Sequence, residues 1–130
     1  MKLTRALFPV DFSPRCVDAI PLVKSWIAHF RSELTLLHVV GVPATLRFAS
    51  SDRLHSQLRE ELLQESNIAM TDFVDRYFKP VALQYTIAEG DPTQIIVDRA
   101  RKDHTDLVMM PTHGYGPFIA MRNRCAAGNP

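Results

Sequence analysis

The stretch Asp106–Phe118, DLVMMPTHGYGPF, decides the fold. Leu107, Val108, Met109 and Met110 form an apolar run with no polar alternation, which fits a strand covered on both faces of a parallel sheet. The run empties into a loop of Thr112, His113, Gly114, Tyr115 and Gly116. Gly114 and Gly116 permit positive φ, so backbone there can approach a ligand closely. A strand that ends in small turn residues is what the carboxyl rim of an open α/β sheet requires, and ligands settle at that rim.

Upstream, the same alternation of strand and helix recurs. RALFPV (Arg5–Val10) is a first short apolar run. DFSP follows it, with Ser13 as helix N-cap and Pro14 at the first helical position, where a missing N–H costs nothing. Ala19, Ile20, Val23, Ile27 and Phe30 then fall on one helical face. ELTLLHVV (Glu33–Val40) is a second strand rich in leucine and β-branched residues. Gly41 and Pro43 open a loop. A long helix runs from about Asp52 to about Phe78, with Leu54, Leu58, Leu62, Ala69, Phe73 and Tyr77 as its apolar stripe, and Pro80 closes it. VALQYTIA (Val81–Ala88) sets Leu83, Tyr85 and Ile87 against Gln84 and Thr86, the period of an edge strand. After EGDP, Asp91 caps a helix that starts at Pro92 and buries Ile95, Ile96 and Ala100. Beyond the glycine loop, Phe118–Met121 reads as the start of a last helix. The order β-α-β-α-β-α-β implies a parallel sheet with right-handed crossovers, in a three-layer α/β/α arrangement.

With 130 residues the chain is expected to be one domain, 1–130, large enough to hold a core without disulfides. Its 15 basic residues are interleaved with 14 acidic ones for a net charge of +1, which argues against nucleic acid or an anionic membrane as partner. No apolar run approaches the length of a membrane span, and the first ten residues lack the form of a signal peptide. Cys16 and Cys125 have no ligand spacing and read as reduced thiols, so a cytoplasmic location is expected.

Two stretches should meet at the carboxyl rim: PVDFSP after the first strand and MPTHGYG after the fourth. Asp11, at the tip of the first strand, is placed either to accept a hydrogen bond from a bound nucleotide or simply to cap a turn. Thr112 offers a hydroxyl to a phosphate or to nearby backbone. Helix N-termini in both stretches favour an anion. His113 has no nucleophile beside it, so no catalytic residue is nominated and an enzyme is the less favoured reading. His38, inside LLHVV, fits a hydrogen-bonded core histidine better than a ligand. The remaining histidines are scattered, and no metal is expected. Neither G-x-x-x-x-G-K-[ST] nor G-x-G-x-x-G is present.

LFPVDFS, LTLLHVV, GDPTQIIVDRA and DLVMMPTHGYG, in that order and spacing, resemble the universal stress protein family over nearly the whole chain to about Phe118. The resemblance implies a five-stranded parallel sheet of order 3-2-1-4-5. It also implies frequent homodimers and, in one branch, ATP binding. In that branch the strand-1 tip holds adenosine, the end of strand 2 touches adenine, and a motif of Gly, two residues, Gly, nine residues, then Gly and Ser or Thr holds ribose and phosphates. Carried over, the nucleotide-contacting set is Pro9, Val10, Asp11, Val39, Val40, Met110, Pro111, Thr112, His113 and Gly114. Gly114 matches the motif. Pro111 stands where its first glycine is expected, and Arg124 and Cys125 stand where Gly and Ser or Thr are expected.

The tail RNRCAAGNP does not resemble the family's fifth strand. The expected sheet is therefore 3-2-1-4, with the edge of Leu107–Met110 open to a second copy by strand pairing or C-terminal exchange. Two functions follow from the resemblance: a stress-response module that binds ATP or another adenine nucleotide in a degenerate site, or a dimerising interaction protein of the same fold that binds none.

Overall fold

The computed structural model describes residues 3–41, 53–111 and 119–122. Strands β1 (Arg5–Pro9), β2 (Glu33–Val40), β3 (Leu83–Glu89) and β4 (Leu107–Met110) alternate with helices α1 (Pro14–Phe30), α2 (Arg53–Tyr77) and α3 (Pro92–Lys102), and β5 (Ile119–Arg122) follows. The sheet order is β3-β2-β1-β4-β5. The first four strands are parallel, as expected, in the order 3-2-1-4.

Alternation along each strand divides the core into two layers. Ala6, Phe8, Leu34, Leu36, Leu107 and Met109 face α1 and α2, where Cys16, Ile20, Val23, Met70 and Phe73 cover them. Leu7, Leu37 and Val108 face α3 and meet Ala100, Ile95 and Ile96. Both faces of β1 and β4 are thus buried, which is why their sequences carry no polar alternation. β3 forms one edge, and its Tyr85 is 43% exposed.

Three sequence expectations are corrected. First, Ile119–Arg122 is a strand, not the start of a helix. It pairs antiparallel with β4 from Met110↔Ile119 to Leu107↔Arg122. A four-residue apolar run does not distinguish helix from strand by periodicity. Here the unpaired N–H and C=O groups along β4 decide the outcome. Second, the open β4 edge expected for a second copy is filled by this returning segment. A fifth strand is present, but it runs in the opposite direction. Third, among the described side chains the stripe of α2 is buried only near its C-terminal end. Met70 and Phe73 are buried, whereas Leu58 is 40% exposed. Further up the helix, Arg59 reaches across to Glu89 on β3 with two hydrogen bonds, of 2.6 and 3.0 Å.

Candidate functional site

The pairing of β1 with β4 ends next to a residue that has no N–H to donate. The N–H of Val10 points to β2 and bonds Leu37 O at 2.8 Å. Backbone donors alternate along a strand, so the N of Pro9 is directed to β4, and proline has no hydrogen to give. The β1–β4 ladder accordingly stops at Leu7↔Val108, although β1–β2 pairing continues to Pro9↔Leu37. At this end of the sheet lies a cavity of about 330 Å³. That is at the lower end of the range for small-molecule sites, about 300–1,000 Å³.

Its wall consists of Pro9, Val10, Asp11, Ser13 and Arg15 from β1 and the start of α1, Leu37, His38 and Val39 from β2, Pro92 and Ile96 from α3, and Met110 and Pro111 from β4. Of the residues nominated from sequence, Pro9, Val10, Asp11, Val39, Met110 and Pro111 are therefore brought together. Val40 is buried instead of lining the cavity, and its carbonyl accepts from the N–H of Gly90 at 3.2 Å. Gly90 sits at φ +143°, and an added Cβ there would lie 3.2 Å from Ile95, so the turn into α3 depends on glycine. Thr112, His113, Gly114, Arg124 and Cys125 lie outside the described residues.

The loop after β1 is fixed by local hydrogen bonds. Asp11 Oδ1 accepts from the N–H of Ser13 at 3.0 Å, and Ser13 Oγ accepts from the N–H of Cys16 at 3.2 Å. Asp11 thus fulfils the turn role that sequence allowed, and it also lines the cavity. Partial burial works against its charge. The hydrogen bonds from Ser13 outweigh that, helped by its own N–H and the neighbouring His38, and the carboxyl is held below the ordinary value of 3.8. Burial pushes the Cys16 thiol up to about 11, so it remains protonated and unreactive.

His38 is hydrogen-bonded, as its setting implied, but it is half-buried and lines the cavity instead of lying in the core. Its Nδ1 lies 2.8 Å from Val10 O. A carbonyl can only accept, so Nδ1 carries the proton. The ring packs on Phe12 at 4.5 Å between centroids, and Phe12 in turn meets Phe73 at 5.4 Å. Phe12 has φ 63°, a left-handed conformation costly for a large side chain, and these ring contacts hold it there. No sequence pattern announced this strained residue.

The helix N-termini at the cavity are less available to an anion than the sequence suggested. In α1, the N–H groups of Cys16 and Val17 are taken by Ser13 Oγ and Ser13 O. In α3, those of Gln94 and Ile95 are taken by Asp91 Oδ2 and Asp91 O. The first position of each helix is a proline. Sequence reasoning passed over Ser13, Arg15, Leu37, His38, Pro92 and Ile96 as wall residues. Arg15 was findable from its position in the first turn of a helix that starts at the rim.

A larger groove, of about 740 Å³, lies at the opposite, amino-terminal end of the strands. Its charged residues are largely engaged with one another, as in Arg99–Asp103 at 2.9 Å. Among the described residues, no group of three or more His, Cys, Asp or Glu side chains is gathered as for a metal ion, and no helix is long and apolar enough to cross a membrane.

Comparison with known proteins agrees with this architecture. The model of the universal stress protein family matches residues 2–122. Among solved structures, hypothetical protein MJ0577 is similar with a TM-score of 0.71 and 25% identity, over 88% of this chain and 78% of that one. Universal stress protein UspA from Lactobacillus plantarum has a TM-score of 0.65 and 24% identity, over 89% of this chain and 81% of its own. A universal stress protein in complex with cAMP has a TM-score of 0.52 and 16% identity, over 83% and 71%. None of the curated proteins compared matches the chain.

Proposed function

Since the chain belongs to the universal stress protein family, we propose that it is a stress-response module that binds an adenine nucleotide in the cavity between β1, β2 and β4. The single observation that carries this reading is the meeting of Asp11, Val39 and Pro111 around one opening at the strand-order reversal. The ionised Asp11 offers acceptor oxygens to sugar hydroxyls or a base amine. Val39 and Ile96 offer apolar surface to a ring. The fold likeness to a protein solved with cAMP supports the same class of ligand. With about 330 Å³ available, the nucleoside end would be enclosed and a polyphosphate would extend outward. A cytoplasmic setting accords with the free, buried thiol of Cys16.

Calorimetry with ATP tests the reading. Saturable binding that weakens at least tenfold in Asp11→Ala supports it, and no heat up to millimolar ATP refutes it.

Pro111 favours a second reading, a homodimer of the same fold that binds no nucleotide. It lines the cavity without a backbone donor where the family's motif has glycine. In this chain a dimer that pairs strands would use an outer strand, β3 or β5, because the edge of β4 is already occupied. A dimer in sedimentation together with silence toward ATP selects that reading.

A further inference from the structure

The groove of about 740 Å³ at the amino-terminal end of the strands has a volume within the range of small-molecule sites. Alternation puts Arg5, Thr35 and Gln84 on the same sheet face as Leu7 and Leu37, and Thr35 stands beside Gln84 in register. α3 covers the two leucines. The three polar residues instead line the groove, together with Lys102, Asp103 and Thr105 from the end of α3 and the turn into β4. These two sides are tied together. Arg5 Nη1 donates to Asp103 O at 2.8 Å, and the Arg5 N–H donates to Asp106 Oδ2 at 3.0 Å. Little therefore has to be ordered when a ligand enters.

Within the groove the charges do not balance. Glu33 has Arg5 at 3.7 Å, and Asp103 has Arg99 at 2.9 Å. Lys102 is a further cation there and has no acidic partner among the described residues. Thr105 is only 3% exposed. Its N–H bonds Ala100 O at 2.9 Å, but its hydroxyl has no partner among the described residues. A buried hydroxyl in that state is rare in native proteins and marks a place where something polar is received. The Thr35 hydroxyl and the Gln84 amide are likewise unengaged by described residues. The carboxyl end of α3 carries partial negative charge, which Arg99, Arg101 and Lys102 in its last turn offset. We propose that this groove is a second binding site, for a small polyhydroxylated anion of the sugar acid or sugar phosphate class. The negative group of the ligand pairs with Lys102, and its hydroxyls bond Thr105, Thr35 and Gln84. The site is separate from the cavity of the nucleotide reading, which lies at the other end of the strands.

The test is an amide NMR titration of the full chain with gluconate, glucose-6-phosphate and glucose, for the wild type, Lys102→Gln and Thr105→Val. Thermal melts without ligand accompany it and show that each variant is folded. The anions should shift the amides of Thr35, Gln84, Lys102 and Thr105 saturably. Glucose should bind about tenfold more weakly, the range for losing a hydrogen bond to a charged group. Lys102→Gln should bring the anions down to the level of glucose. Thr105→Val should weaken all three ligands and raise the melting temperature, because a methyl group replaces a hydroxyl that is unpaired in the free protein. A response to gluconate alone supports the proposal with a carboxylate as the recognised group, and a response to glucose-6-phosphate alone supports it with a phosphate. No saturable shift with either anion at tens of millimolar, an unchanged affinity in Lys102→Gln, or a lower melting temperature in Thr105→Val overturns it.

Discussion

Asp11 joins loop geometry to charge. Its carboxylate accepts the Ser13 N–H and is held below 3.8 in the folded chain. A carboxyl with a depressed folded pKa contributes stability above its unfolded value, and that contribution is lost as pH falls through the folded one. Nucleotide binding should follow the same titration and decline as Asp11 becomes protonated. Ser13→Ala removes the hydroxyl that helps hold the charge, so the Asp11 midpoint in a carbon-detected NMR titration should move upward. The same substitution removes the α1 cap at a cost of about 0.5–2 kcal/mol. A midpoint that stays in place would show that the backbone bonds alone set it. At this scale sequence revealed Asp11 as a candidate but not its neighbours' conformations. The left-handed Phe12 depends on His38 and Phe73, which are distant in the chain, and no local propensity encodes that.

Among the elements, α1 contains a built-in weakness. Pro21 lies within the helix, exposed, and withholds the N–H that Val17 O would normally receive. Ile20 and Val23 on either side are buried, and their packing keeps the helix together. Pro21→Ala restores the donor and should raise unfolding free energy by about 1–2 kcal/mol. That is the helix-interior penalty of proline, less the gain in unfolded-chain entropy. Urea denaturation would register it as a higher midpoint at constant slope, and a lower midpoint would mean that the chain is shaped around the proline. The main elements were legible because their signals are local. Ser13–Pro14 and Asp91–Pro92 open α1 and α3 as capping rules require. β5 was not legible, since nothing within Ile119–Arg122 specifies a strand. Its partner does, and which strand edge remains vacant is a property of the assembled sheet.

Over the whole molecule the two faces of the sheet are unequally defended. The α1–α2 face buries Phe8, Cys16, Ile20, Val23, Leu36, Met70, Phe73, Phe78 and Met109 in one continuous cluster. The α3 face has Leu7, Leu37, Ala100 and Val108 as its buried members, and Ile95 and Ile96 are only partly covered. Regions with fewer buried apolar contacts open at lower free energy. Amides of α3 should therefore exchange with deuterium faster than those of α1, and the nucleotide should slow α3 selectively because Pro92 and Ile96 border the cavity. Equal protection of both helices would mean that the domain opens only as a unit. The relative strength of the two faces depends on how the helices seat on the sheet, which no single stretch of sequence encodes. The apolar stripe read along α2 implied a buried face, but much of that helix is solvent-exposed, as Leu58 at 40% illustrates.

The hydrogen that Pro9 cannot supply has a corollary for recognition. An opening made by side chains closes when a larger one is substituted, whereas this one follows from a missing main-chain donor in the central strand. Replacing the side chains around it would change what the opening admits while leaving the missing donor, and the end of the β1–β4 ladder, in place.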